Sequence, residues 1–249
     1  ERREVTYLFT DLASFTALTE RIDPKVLVKL LNEYIDGMCA IAFKHGATID
    51  KIVGDAVVMF FNAPVDQPDH KARAVACAFD LDAFGQAFVE LQAAQGLEVG
   101  ITRIGVHSGV AIIGNFGGKS FFDYTGCGDM VNTAARLESV NKHLGTRVCM
   151  SLLTAMGCPD LSFRPVGALV LKGKTEGIEV VEPICVVKAA SQSTALYRSA
   201  YEAMARNDDN ATELFQQVLD IDADDGLAAF HLRRLRSGEK GTTIKMGEK

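Results

Sequence analysis

The chain lacks any run long and apolar enough to span a membrane, and nothing at its start reads as a secretory leader. No Lys/Arg-rich run relieves the net charge of -6, which disfavours a nucleic-acid or anionic-membrane surface. The six cysteines, at 39, 77, 127, 149, 158 and 185, form no CxxC, and the five histidines show no metal spacing. Zinc sites and a disulfide framework are therefore both disfavoured, and reduced thiols in a cytoplasmic compartment are expected. Glu1 rather than Met stands a few residues before a core strand. The sequence reads as a fragment, to which a membrane anchor, a sensor or a dimerising helix could be joined upstream.

What is present suits a globular chain. With 48% hydrophobic residues in 249, the chain can bury one good domain plus an appendage. Two pieces stand out, Val5 to Phe15 (VTYLFTDLASF) and Lys51 to Phe61 (KIVGDAVVMFF), each placing one Asp at the end of an apolar, β-prone run. Val5 to Phe9 reads as a strand buried on both faces, with Asp11 where it ends. Leu12, Ala13 and Ser14 then lead into a helical pattern, so their N–H groups are expected at a helix N-terminus, where phosphate oxygens bind well. Gly54-Asp55 lies between Thr48 to Val53 and Ala56 to Phe61, the spacing of a tight hairpin with Asp55 at its tip. Capping a helix and filling a turn are the ordinary uses of such residues. Two carboxylates beside an anion-binding backbone also form the pattern of a metal-nucleotide site, because hard divalent cations take carboxylate and phosphate oxygens.

Asp23-Pro24 reads as an N-cap and first helical position. The helix it opens carries Leu27, Leu30, Leu31, Tyr34, Ile35, Met38 and Ile41 at three- and four-residue spacing and is ended by Gly46. A long Ala-rich helix is expected over 70–94. Residues 99–106 and 110–114 read as strands parted by a turn at His107-Ser108-Gly109, and Gly114, Gly117 and Gly118 as a mobile loop. Asp129 to Asn141 is helical by pattern and carries Asn132 and Arg136 on one face. Strands at 147–150, 163–171 and 178–183 complete an α/β arrangement whose hairpins demand a mixed sheet. From 191 two helices, YRSAYEAMARND and NATELFQQVLDID, read as an extension over 191–236, and 237–249 reads as a disordered tail.

The pieces FTDLASFTAL, KIVGDAVVMFF and DYTGCGDMVNTAARLES resemble the signature blocks of class III nucleotide cyclases, in that family's order, over Glu1 to Ile184. The resemblance implies a catalytic domain over 1–188 of the α/β (α+β) class. Its core would be ferredoxin-like, βααββαβ, with a mixed but mainly antiparallel sheet, followed by the C-terminal helical hairpin. It implies attack of the ribose 3′-hydroxyl of ATP on the α-phosphorus, releasing pyrophosphate and closing cyclic AMP. Two divalent cations, Mg²⁺ or Mn²⁺, would be carried by Asp11 and Asp55. Asn132 and Arg136 match the positions that orient the ribose and stabilise the transition state, where a planar guanidinium suits phosphoryl oxygens.

Lys51 and Thr125 match the purine-selecting positions. Adenine offers an acceptor at N1 and a donor at N6, which suit a Lys donor and a Thr acceptor, and guanine reverses both. Arg103 and Lys172 match phosphate-contacting positions, with Lys174 an alternative to Lys172, and Ser14 and Phe15 fall in the substrate-binding stretch after the first Asp. The implied assembly is a head-to-tail homodimer with shared sites. Asp11, Asp55 and Arg103 would come from one chain, and Lys51, Thr125, Asn132, Arg136 and Lys172 from the other. The helical extension resembles a single tetratricopeptide-type repeat, which needs neighbours, so packing on the catalytic domain, on a partner protein or on further repeats is expected of it. A guanylate cyclase, or a catalytically silent cyclase-like module, is the competing reading.

Overall fold

Four successive residues without solvent exposure, Val5, Thr6, Tyr7 and Leu8, anchor strand β1 (Arg2–Leu12) in the computed structural model, which describes residues 1–171 and 176–246. β1 is followed by α1 (Phe15–Thr19), α2 (Pro24–Lys44), β2 (Thr48–Val53), β3 (Ala56–Phe61), α3 (His70–Ala94) and β4 (Thr102–Gly117). This is the expected βααββαβ order. The hairpin strand β5 (Phe122–Cys127) and helix α4 (Asp129–Leu144) come next. The chain divides into two compact units, and these elements, with α4 as far as Ser139, make up the first, Glu1–Ser139. Its strand pairs are all antiparallel, in the order β2-β3-β1-β4 with β5 on β4.

Local sequence explains the helix ends. Asp23 accepts a hydrogen bond from the Lys25 N–H at 2.8 Å with Pro24 at the first helical position of α2. Gly46, at φ 78°, closes that helix, and Ala47 N–H donates back to the Ala42 carbonyl at 2.9 Å.

Period-two alternation divides the sheet chemically. Val5 and Tyr7 of β1 and Ala111 and Ile113 of β4 share one face, where they pack on Met130 and Ala134 of α4. Thr6, on the opposite face, hydrogen-bonds His70 Nδ1 at 2.7 Å and Ser108 Oγ at 2.8 Å. The turn expected at His107-Ser108-Gly109 is absent: β4 is one strand of 16 residues, and 102–112 pair with β1 throughout. The glycines there serve a different purpose. A Cβ on Gly105 would stand 2.1 Å from Glu138 N, so glycine is what lets α4 lie against the strand. The hairpin comes at the far end, where Gly118 N–H donates to Phe121 O at 2.9 Å. Gly114 and Gly117, expected in a mobile loop, are ladder residues paired with β5.

The second unit, Val140–Lys249, holds β6 (Val148–Ser151), α5 (Leu152–Ala155), β7 (Phe163–Val170), β8 (Ile178–Pro183) and α6 (Val186–Ala189). Then follow α7 (Gln192–Ala205), α8 (Ala211–Ile221), α9 (Gly226–Arg236) and β9 (Thr243–Lys245). β6, β8 and β7 pair antiparallel, whereas β9 lies parallel on β7, so the pairing is mixed and mainly antiparallel as expected. Two expectations are corrected here. The helical hairpin has a third helix, α9, whose Asp225 cap accepts from the Ala228 N–H at 3.0 Å. The tail read as disordered contributes a strand, since Ile244 has an apolar site to fill and is 3% exposed.

The helices of the extension pack on β7, within the stretch read as the catalytic domain, which is the first of the three alternatives expected for them. The Tyr197 hydroxyl donates to Pro165 O at 2.7 Å, and its ring meets Phe215 of α8 edge-on at 5.6 Å. The Arg164 guanidinium, on β7, is buried beneath them. It donates from Nε to Glu182 and through both terminal nitrogens to the Asp225 carboxylate, and it lies 4.5 Å over the Tyr197 ring.

His231 of α9 is fully buried among Tyr197, Tyr201, Phe215 and Phe230. Burial, then the charges of Arg234 and Arg164, push its imidazole down to about 3, against the opposing pull of Asp225 and the Val166 backbone. The unfolded chain binds that proton near pH 6.5 and the folded chain does not, so acid favours unfolding. Stability is fully present above about pH 6.5 and falls by about 1.4 kcal/mol per pH unit from this residue alone between there and about pH 3. Urea melts of His231→Phe between pH 7 and pH 5 are expected to lose less stability than the parent chain. Parallel pH dependences would contradict the assignment. No described helix is long and apolar enough to cross a membrane, and no disulfide joins any of the six cysteines.

Candidate active site

Strand register builds one end of the site. Asp11 is directly opposite Arg103 on β4, and β1 runs antiparallel to β3, whose first residue follows Asp55. Val53 pairs with Ala56, so Gly54-Asp55 is the two-residue turn that the sequence predicts, with Gly54 at φ 63°. The Asp55 carboxylate turns inward and accepts from the Leu12 N–H at 2.8 Å. Arg103 donates from Nη2 to Asp11 Oδ2 at 2.8 Å, and its Nε stands 3.5 Å from Glu138 Oε1 of α4.

Two carboxylates, Asp11 and Glu138, therefore meet one guanidinium, and a third, Asp55, lies beside Asp11. Burial raises the Asp55 carboxyl above its ordinary value, with the charge of Asp11 adding to the effect and the Leu12 N–H opposing it. Glu138 is pushed up to about 7 by burial first, then by the charges of Asp11 and Asp55, with Ser139 and Arg103 opposing. Such an excess of crowded negative charge is what a hard divalent cation neutralises, and the chemistry of Asp11 and Asp55 fits such a cation. Among the described residues no three His, Cys, Asp or Glu are arranged to hold a metal unaided. Two carboxylates complete an octahedral shell only with outside oxygens, which a triphosphate supplies.

Ser14 and Phe15 follow at the surface. Ser14 is exposed at φ 60°, and Phe15 begins the five-residue helix α1. The stretch is pinned by the Ala13 N–H donating to Ile101 O at 2.9 Å.

A second group collects around Tyr7, on the same face of β1 as Asp11. The Tyr7 hydroxyl donates to Asp50 Oδ2 at 3.2 Å and accepts from the Gly126 N–H at 2.7 Å. Lys51 follows Asp50, half-exposed, with its Nζ 3.6 Å from Asp50 Oδ1. Thr125 precedes Gly126, and its buried hydroxyl lies near the Tyr7 phenol without meeting the distance and angle of a hydrogen bond. The structure thus brings the neighbours of Lys51 and Thr125 onto one phenol. On α4, Asn132 is exposed and Arg136 half-buried, one turn apart. Among the described residues no hydrogen bond or ion pair links Asp11, Asp55 or Arg103 to Lys51, Thr125, Asn132 or Arg136. Lys172 and its alternative Lys174 lie outside the described residues.

Sequence reasoning missed Glu138, Asp50 and Tyr7. For Tyr7 the signal was present: it sits four residues before Asp11, hence on the same face of the strand.

Comparison with known proteins gives a consistent result. Residues 1–182 match the adenylate and guanylate cyclase catalytic domain. Adenylate cyclase 1 of Rhizobium meliloti (strain 1021) is 38% identical over 195 residues, covering 78% of this chain and 29% of its own length, so the chain spans under a third of that relative. The crystal structure of the adenylyl cyclase CyaB from P. aeruginosa matches with a TM-score of 0.70 at 30% identity, over 77% of this chain and 98% of that one. The crystal structure of the guanylyl cyclase Cya2 matches with a TM-score of 0.65 at 29% identity, over 74% of this chain and 92% of that one.

Proposed function

Because the chain belongs to the class III nucleotide cyclases, the family of adenylate and guanylate cyclase catalytic domains, we propose that it converts ATP to 3′,5′-cyclic AMP and pyrophosphate at a site shared by two copies of itself. The observation that carries the reading is the crowded Asp11–Asp55 pair where β1 ends and the β2–β3 hairpin turns. Divalent cations bound there would offset triphosphate charge and acidify the attacking 3′-hydroxyl.

The chain's own groups do the rest. Arg103 balances Asp11 and Glu138 and offers its guanidinium toward phosphate oxygens. Asn132 holds the ribose so that its 3′-oxygen faces the α-phosphorus. Arg136, one turn along the same face, hydrogen-bonds the phosphoryl oxygens as negative charge grows on them, which binds the transition state more tightly than the substrate. Lys51 donates to adenine N1, and Thr125 accepts from the N6 amino group.

Among the described residues no hydrogen bond or ion pair joins the two groups within one chain, which supports a head-to-tail dimer in which each site draws on both copies. Exposed apolar side chains near Lys51 and at the β4–β5 turn, Ile52, Val53, Phe121 and Phe122, suit such an interface. A position for GTP has one observation in its favour: the Thr125 hydroxyl can donate as well as accept.

The test is product analysis with ATP or GTP and Mn²⁺ or Mg²⁺ at low and high protein concentration. Cyclic AMP from ATP, rising more than linearly with protein, is the expected result. Cyclic GMP alone would reverse the base assignment, and no cyclic product at high concentration would leave a nucleotide-binding module in place of an enzyme. Lys51→Gln is expected to lower the preference for ATP over GTP by about tenfold, read as the ratio of kcat/KM values, because the amide adds a carbonyl acceptor for guanine N1–H that the ammonium lacks.

A further inference from the structure

Three strands meet at the Tyr7 phenol, and two of them carry the residues assigned above to the purine. On β2 the ladder slips between Ile49 and Lys51, so Asp50 is the bulged residue. A bulge re-aims the side chain it carries, and Asp50 points inward, its side chain 1% exposed, with Oδ2 accepting from Tyr7. Its other oxygen, Oδ1, is buried without a hydrogen bond, and the nearest cation recorded for it is the Lys51 ammonium at 3.6 Å. On β5 the Gly126 N–H donates to the same phenol. A Cβ at position 126 would stand 2.4 Å from the Tyr7 oxygen, so the close approach requires glycine there. Tyr7 itself is fully buried, packed on Phe60 at 5.2 Å and Phe9 at 6.1 Å, so its hydroxyl has little freedom to wander.

We propose that Tyr7 is a specificity-determining positioning residue: through Asp50 and Gly126 it sets the spacing and orientation of Lys51 and Thr125, and so the discrimination between adenine and guanine. The inference rests on the base-recognition reading above. The phenol acts as a donor on one side and an acceptor on the other, which fixes β2 relative to β5. Burial, with the Asp50 charge adding to it, raises the phenol well above its ordinary value and keeps the donated proton in place. The Asp50 Oδ1 charge, 3.6 Å from the ammonium, draws Lys51 toward this corner of the sheet. Discrimination by hydrogen-bond polarity depends on such fixed donors and acceptors, since a freely rotating group can satisfy either base.

Tyr7→Phe keeps the ring and removes the two hydrogen bonds. The expected result is a fall of about fivefold or more in the ratio of kcat/KM for ATP to that for GTP. A tyrosine serving only as core would lower both values in the same proportion, with a lower melting midpoint and an unchanged ratio, and that outcome overturns the proposal. Asp50→Asn carries the same expectation and replaces Tyr7→Phe if that variant does not fold. Lys51→Gln separates the two levels of argument. If it moves the ratio while neither Tyr7→Phe nor Asp50→Asn does, the positioning role fails and base recognition stands. If Lys51→Gln leaves the ratio unmoved, base recognition at this position fails, and the proposal with it.

Discussion

Replacing Asp55 with alanine is expected to reduce cyclic nucleotide formation by about 10³-fold or more, roughly 4 kcal/mol of transition-state stabilisation. Asp55 is raised by burial and by Asp11, and it is held at the hairpin tip by the Leu12 N–H. Alanine there relieves crowding, so the fold is expected to survive while the carboxylate pair does not. Arg136→Ala is expected to be comparably inactive for a different reason, the loss of a guanidinium that would hold the phosphoryl oxygens. The informative sample is the mixture. If each site takes Asp55 from one copy and Arg136 from the other, a mixed dimer has one site with both residues and one with neither. Random pairing then restores roughly a quarter of the parent activity from two dead proteins. Proven mixed dimers without recovery would sink the shared site and force both residues into one chain's own pocket.

How far the sequence foretold this arrangement depends on the range of the signal. The β2–β3 hairpin, the Asp23-Pro24 start of α2 and the 70–94 helix rest on neighbours in the chain, and they emerge where the residues say they should. So does the proximity of Asp11 to Asp55, which follows from a strand end and a turn tip. β4 was misread because a glycine carries two meanings. Gly109 after His107-Ser108 suggests a turn, yet with Gly105 it clears the strand face for α4, a requirement set by residues about 21 to 33 positions away. The third helix α9 is hidden by its glycine start and three arginines in the last turn, and only the buried partner of Asp225 reveals why it forms. Glu138 belongs to the helix whose polar side was read for Asn132 and Arg136, but it lies two residues from Arg136 and so on another face, toward Arg103. Partners across a sheet are a matter of register, which composition does not record.

The extension is where register and charge make the largest structural forecast. Asp225→Ala is expected to destabilise the second unit by about 3–5 kcal/mol, because it strips the bidentate partner from a guanidinium that stays buried and also removes the cap of α9. Glu182 remains on Nε, so Arg164 keeps one counter-charge, but its two terminal nitrogens lose theirs. Removing the whole charge cluster should cost less: Arg164→Met with Asp225→Leu and Glu182→Gln leaves no ion without its partner, and this triple variant is expected to be more stable than Asp225→Ala alone. Urea or thermal unfolding reads both, with a midpoint drop on the order of 10 °C for the single variant. A cost below about 1 kcal/mol would mean that Arg164 reaches water and that the helices sit loosely on β7. The same geometry makes the extension more than an appendage. A chain ending before α7 would lose Tyr197 and Asp225 together and leave the Arg164 charge and the apolar face of β7 uncovered. Truncation at residue 190 is therefore expected to unfold β7 and β8 rather than to release an intact domain.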